Sequence, residues 1–147
     1  MRMAMKLQKI LIVEDSELLH RMYEVVFRQH RFKQGVLLHA MNGKEALDRL
    51  AQHSDVDLIV LDINMPVMSG LQFLQFCQSE RVFREIPVIV VSTESKKDDT
   101  LRALQAGARG YVTKPFRPHD LHALIDRIFG FSDRPTARPA VAVAQES

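Results

Sequence analysis

Five short segments built on consecutive apolar residues constrain this chain more than any other feature: Lys9–Val13, Val36–Ala40, Leu58–Leu61, Val88–Val91 and Gly110–Thr113. A strand with one face in water alternates apolar and polar residues, and these do not. Unbroken Ile, Leu and Val is the pattern of strands covered on both faces, as in a parallel sheet held between layers of helices. The stretches between the runs have helical spacing. Leu18, Leu19, Met22, Val25 and Val26 form an apolar stripe behind a cap at Asp15-Ser16, and Ala46, Leu47, Leu50 and Ala51 form another behind Asn42-Gly43. Leu71, Leu74 and Cys77 mark a third helix over residues 70–80. A fourth covers residues 100–106, with Gly107 placed to end it, and Leu121, Leu124, Ile125 and Ile128 mark a fifth. Strand and helix alternating five times predict a three-layer α/β sandwich, and right-handed crossovers leave few topologies.

The 147 residues suffice for one such core and not for two. Residues 1–7 read as an N-terminal extension and 8–130 as the folded domain. From 131 to 147, prolines, arginines and the small-residue run Ala140–Ala144 cannot build a core and read as a flexible tail. With 20 basic and 18 acidic side chains and no long basic block, the charge balance argues neither for nor against nucleic acid, and no direct nucleic-acid partner is expected. No apolar run approaches the ~20 residues of a membrane span, and the amino terminus is not a signal peptide. The lone Cys77 cannot form an internal disulfide, which fits a reducing compartment. A cytoplasmic protein without membrane insertion is expected.

Three of the runs end in polar residues that make sense only together. The first ends in Glu14-Asp15, the third in Asp62, the fifth in Lys114-Pro115. In an open parallel sheet the carboxyl ends of the strands share one edge, where ligands bind. Three acids and one ammonium in one cleft can hold a divalent cation and expose a carboxylate to an incoming phosphoryl group.

Glu14-Asp15, Asp62-Ile63-Asn64-Met65-Pro66, Ser92 and Lys114-Pro115-Phe116 fall in the order and spacing of a response-regulator receiver domain. The segments Pro87–Ser92, Glu94, Lys96-Lys97, Gln105–Ala108 and Gly110–Val112 resemble its single-domain, CheY-like members in particular. The resemblance covers about residues 8–129. It implies a doubly wound, flavodoxin-like fold with five parallel strands in the order 2-1-3-4-5 and five helices. It also implies that Asp62 is the phosphoacceptor, that Asp15 and Asp62 ligate Mg²⁺ with the backbone carbonyl of Asn64, and that Glu14 acts through a bound water. Lys114, aimed by a cis Lys114–Pro115 bond, and Ser92 would contact phosphoryl oxygens, with Thr93, Glu94 and Met65 lining the pocket. Tyr111 reads either as a switch aromatic or as an edge aromatic packed on a helix.

The partners implied are a sensor histidine kinase or histidine phosphotransfer protein and a downstream protein target. The target would bind the face made by the fourth helix, fifth strand and fifth helix, read through Lys96, Lys97, Arg102 and Tyr111. The chain would then be a signalling switch whose only chemistry is its own phosphotransfer and autodephosphorylation. With no output domain after residue 130, output is expected from a partner, unless the chain is a piece of a longer regulator or hybrid kinase. Two positions depart from the family's commonest residues: Glu14 where Asp is frequent, one methylene longer toward the ion, and Thr93 where Ala is frequent, a branched residue beside the pocket.

Two rivals are disfavoured by residue placement. An aspartyl-phosphate phosphatase of the haloacid-dehalogenase type carries its nucleophile after the first strand with a second Asp two residues on, whereas Asp62 follows the third and is followed by Asn64. A flavodoxin-like electron carrier needs a hydroxyl- and glycine-rich phosphate loop after the first strand, where Glu14-Asp15 would repel a flavin phosphate.

Overall fold

The computed structural model describes residues 7–29, 32, 35–65, 67–93, 95 and 97–131. The expected N-terminal extension and tail lie almost wholly outside these residues, as do Glu94 and Lys96.

Five parallel strands form one sheet in the order β2-β1-β3-β4-β5. They are β1 (Lys9–Val13), β2 (Val36–Ala40), β3 (Leu58–Asp62), β4 (Val88–Thr93) and β5 (Gly110–Lys114). Five helices alternate with them: α1 (Glu17–Arg28), α2 (Gly43–Gln52), α3 (Gly70–Ser79), α4 (Lys97–Gln105) and α5 (Pro118–Phe129). A single extra turn, Arg81–Arg84, lies between α3 and β4. Three strands run one or two residues beyond the apolar pattern, so Asp62, Ser92 and Lys114 are themselves strand residues. Their positions are therefore fixed by ladder pairing: Asp62 opposite Val91, Ser92 opposite Thr113, Thr93 opposite Lys114.

The sheet separates two apolar cores. On one face Ile10, Ile12, Val60, Ile89 and Val91 pack with Tyr23 and Phe27 of α1 and Leu121 and Ile125 of α5. On the other, Leu11, Val13, Leu61 and Val90 pack with Leu50 of α2, Phe73 and Leu74 of α3 and Ala103 of α4. Full burial of a side chain such as Phe73 contributes about 1.5–3 kcal/mol. The local sequence adds capping hydrogen bonds at the helix ends. Ser16 and Asn42 accept from Leu19 and Glu45 backbone N–H groups, and Ser69 forms a reciprocal capping box with Gln72. Gly130, with φ 72°, closes α5 in the left-handed conformation. The Lys114–Pro115 bond is cis.

Three expectations need correction. The stripe expected on α1 is rotated: Leu18 and Val25 are exposed, and His20, Tyr23, Val26 and Phe27 face inward. A polar His20 occupies an interior position that an apolar pattern passes over. Strand β2 is covered on both faces but less completely than expected: Leu37 packs on one core and Leu38 and Ala40 on the other, while Val36, at the start of this edge strand, is half exposed. Helix α4 begins at Lys97 rather than Thr100, because Asp98 and Asp99 suit a first turn next to the helix's positive end.

Candidate functional site

Strands β1 and β3 are neighbours in the sheet but not in sequence, and the crevice at their carboxyl ends holds the acidic residues. Glu14, Asp15 and Asp62 each place a carboxylate oxygen within 4.8 Å of the others. Glu14 and Asp62 are buried, at 2% and 6% exposure, and Asp15 reaches solvent. The Ser16 backbone N–H donates to Glu14 Oε2 at 3.2 Å, and the Asn64 N–H donates to Asp62 Oδ1 at 3.2 Å. From β5, Lys114 Nζ lies 3.3 Å from Glu14 Oε1 and 3.8 Å from Asp62 Oδ1.

One ammonium does not balance two buried carboxylates. Burial, and then repulsion from Asp62, push the Glu14 carboxyl up to about 7 despite Lys114. Burial also raises Asp62, against the opposing pull of Lys114 and the Asn64 N–H. A cluster that holds protons this firmly is short of positive charge. Its donors are all oxygens, which suit a hard divalent cation such as Mg²⁺ and not a metal that prefers nitrogen or sulfur.

The remaining expected residues fall at varying distances from this cluster. Ser92 is buried near the end of β4, and its Oγ lies 2.6 Å from Thr100 Oγ1 on α4. Thr93 is exposed, with its hydroxyl 2.9 Å from that of Ser95. Met65 is buried in the apolar core against α2 and α3, and Asn64 is exposed. Tyr111 is half buried and borders a cleft of about 60 Å³ together with Ser92, Thr100 and Thr113. Cys77 has no place here, since it is buried in the opposite layer and burial pushes its thiol up to about 12.

Sequence reasoning missed a polar chain that supports the site from behind. His20 Nε2 donates to the backbone carbonyl of Glu14 at 2.6 Å, and His39 Nε2 donates to Glu24 Oε2 at 2.6 Å. The two Nδ1 atoms lie 2.6 Å apart, so the two rings meet edge to edge. Burial lowers the His20 pKa. The only signal in the sequence was a histidine inside each of two apolar patterns, and their meeting is a product of the fold.

A sequence profile described as the response regulator receiver domain matches residues 10–126. The chain belongs to the response regulator receiver family. The chemotaxis protein CheY1 of Helicobacter pylori is 33% identical to this receiver over 125 residues, 85% of this chain and 99% of that protein. The structure of Vibrio cholerae CheY4 superposes with a TM-score of 0.73 at 28% identity, covering 84% of this chain and 99% of that one. The receiver domain of a Pseudomonas aeruginosa sensor histidine kinase, solved with magnesium in its active-site cleft, gives 0.72 at 27%, over 84% and 98%. The doubly wound order and the CheY-like character expected from the motifs are thus both present. No helix among the described residues of this receiver is long and apolar enough to cross a membrane.

Proposed function

We propose that this protein is a phosphorylation-dependent switch in which Asp62 accepts a phosphoryl group from a histidine kinase or histidine phosphotransfer protein. The observation that carries this reading is the placement of Asp62: a buried carboxylate at a strand end, beside two further acids and 3.8 Å from Lys114 Nζ. A carboxylate is a weak nucleophile, so the electrophile has to be positioned and neutralised. An Asp62 oxygen attacks phosphorus, the P–N bond of the donor imidazole breaks, and its electron pair leaves on nitrogen. Lys114, a compact point charge already next to Asp62, pairs with a phosphoryl oxygen, and the Ser92 hydroxyl donates to another. Mg²⁺ held by Asp15, Asp62 and the Asn64 carbonyl, with Glu14 acting through water, would supply the remaining positive charge. Water later attacks phosphorus, inorganic phosphate departs and the Asp62 carboxylate returns.

Output then comes from a protein bound to the α4-β5-α5 face, where Lys97, Arg102 and Tyr111 lie. The location is cytoplasmic, with 8–130 as the working domain. Treatment with acetyl phosphate and Mg²⁺ should add one phosphate to the intact mass, and Asp62→Asn should abolish it. An adduct that persists in Asp62→Asn defeats the assignment.

A further inference from the structure

The buried pair Ser92–Thr100 joins the site to α4 by one hydrogen bond. Both side chains are nearly inaccessible, at 3% and 4% exposure, and their hydroxyl oxygens are 2.6 Å apart. Ser92 lies on β4, next to β3 and Asp62, while Thr100 is the first inward-facing residue of α4. We infer that Thr100 is a positioning residue that holds the Ser92 hydroxyl away from Asp62 and transmits its movement to α4. This rests on the proposed phosphorylation of Asp62.

The reasoning is a count of protons. Ser92 has one hydroxyl hydrogen. A phosphoryl oxygen on Asp62 can only accept, so Ser92 must donate that hydrogen to it. Any bond in which Ser92 donates to Thr100 is then lost. Because Thr100 belongs to α4 and Asp62 to β3, drawing the Ser92 hydroxyl toward Asp62 strains the bond in either direction of donation. Loss of this bond removes the side-chain tie between β4 and α4, which favours movement of α4 over a static helix. The cleft beside Ser92, Thr100 and Tyr111 gives that movement room. The bond therefore stabilises the unphosphorylated arrangement, and removing it should make activation easier.

The test uses the acyl-phosphate mimic beryllofluoride with Mg²⁺ on the full chain. Thr100→Val keeps the shape and removes the hydroxyl. It should bind beryllofluoride between about 2-fold and about 10-fold more tightly than the parent, the range of one net hydrogen bond. Thr100→Ser should restore the parent value. Amide shifts across 97–105 on beryllofluoride binding should shrink in Thr100→Val, whose α4 is already released. A purely structural role would lower stability without tightening binding. Affinity in Thr100→Val equal to or weaker than the parent, with α4 shifts of full size, overturns the inference and leaves Asp62 phosphorylation standing. Ser92→Ala measured alone and with Thr100→Val closes a double-mutant cycle, and additive effects would likewise overturn it. Should Thr100→Val not fold, Thr100→Ala takes its place in the cycle. Failure of the parent protein to bind beryllofluoride at all overturns the functional reading itself.

Discussion

Lys114 Nζ sits 3.3 Å from Glu14 Oε1, yet the Glu14 carboxyl is pushed up to about 7. The ammonium should lower it. Burial and the neighbouring Asp62 carboxylate outweigh that pull. The site is thus built around a charge deficit, and its energetics depend on what supplies the missing cation.

Metal-free protein should lose stability as pH rises from about 4.5 toward about 7. Glu14 is raised in the folded state, so its contribution is fully present below its unfolded value of 4.5 and is lost as pH rises through about 7. Asp62 is raised too and acts in the same sense. The slope approaches about 1.4 kcal/mol per pH unit for each proton released. Urea unfolding in chelator across this window measures it, and excess Mg²⁺ should flatten the decline. Stability that climbs through the window without metal would contradict the charge-deficit account.

Asp62→Asn should unfold at higher temperature than the parent in metal-free buffer near neutral pH. The substitution keeps the shape of the side chain and removes one of two buried charges facing a single lysine. A gain of about 1 kcal/mol is expected, typical of relieving a site strained for function. Added Mg²⁺ should stabilise the parent more than the variant. Melting curves that rank the two proteins the other way round would count against burial-driven repulsion.

Much of this was legible in the sequence because the strands are covered on both faces, which leaves unbroken apolar runs at Ile10–Val13, Leu58–Leu61 and Val88–Val91. The acids and lysine were legible because each interrupts such a run at its carboxyl end. What stayed hidden depends on rotation or on meeting in space. The α1 stripe was misread because His20 lies inside for the sake of the Glu14 carbonyl. Thr100 looked like an ordinary helix residue, and only the fold sets its hydroxyl against that of Ser92.

His20→Leu should weaken Mg²⁺ binding more than it alters the core. The imidazole occupies a buried place that leucine can fill, but leucine cannot donate to the Glu14 carbonyl at 2.6 Å. That carbonyl belongs to the turn that aims Glu14 and Asp15. Loss of one such bond costs about 0.5–1.5 kcal/mol. His20→Gln, which keeps a donor, should recover part of the Mg²⁺ affinity measured by calorimetry. Equal affinities in all three proteins would remove His20 from the support of the site.

Val67 is 80% exposed and has φ 69°, a left-handed conformation that a β-branched residue adopts at a cost. Val67→Asn should raise the urea midpoint by the equivalent of about 1 kcal/mol, because Asn tolerates this region and nothing apolar is uncovered. An unchanged or lower midpoint would show that the loop relaxes around valine without strain.

Gly70→Ala provides a test in which two effects have opposite sign. In a helix interior, replacing Gly by Ala gains about 1 kcal/mol, and less at the first helical position that Gly70 occupies after the Ser69 cap. At Gly70, however, a Cβ would lie 2.6 Å from Ile63 Cα, a backbone atom that cannot rotate away. The Gly70 N–H also donates to the Ile63 carbonyl at 3.1 Å, tying the start of α3 to the turn directly after Asp62. Making room for a methyl group forces α3 and that turn apart. A net destabilisation of about 1–3 kcal/mol is expected from overpacking. Because the Asn64 N–H to Asp62 contact lies on the same turn, Mg²⁺ affinity should fall as well. Urea unfolding and Mg²⁺ titration of the same variant check both parts. A stabilised Gly70→Ala with unaltered metal binding would mean that helix propensity governs this position and that the close approach of α3 does not shape the site.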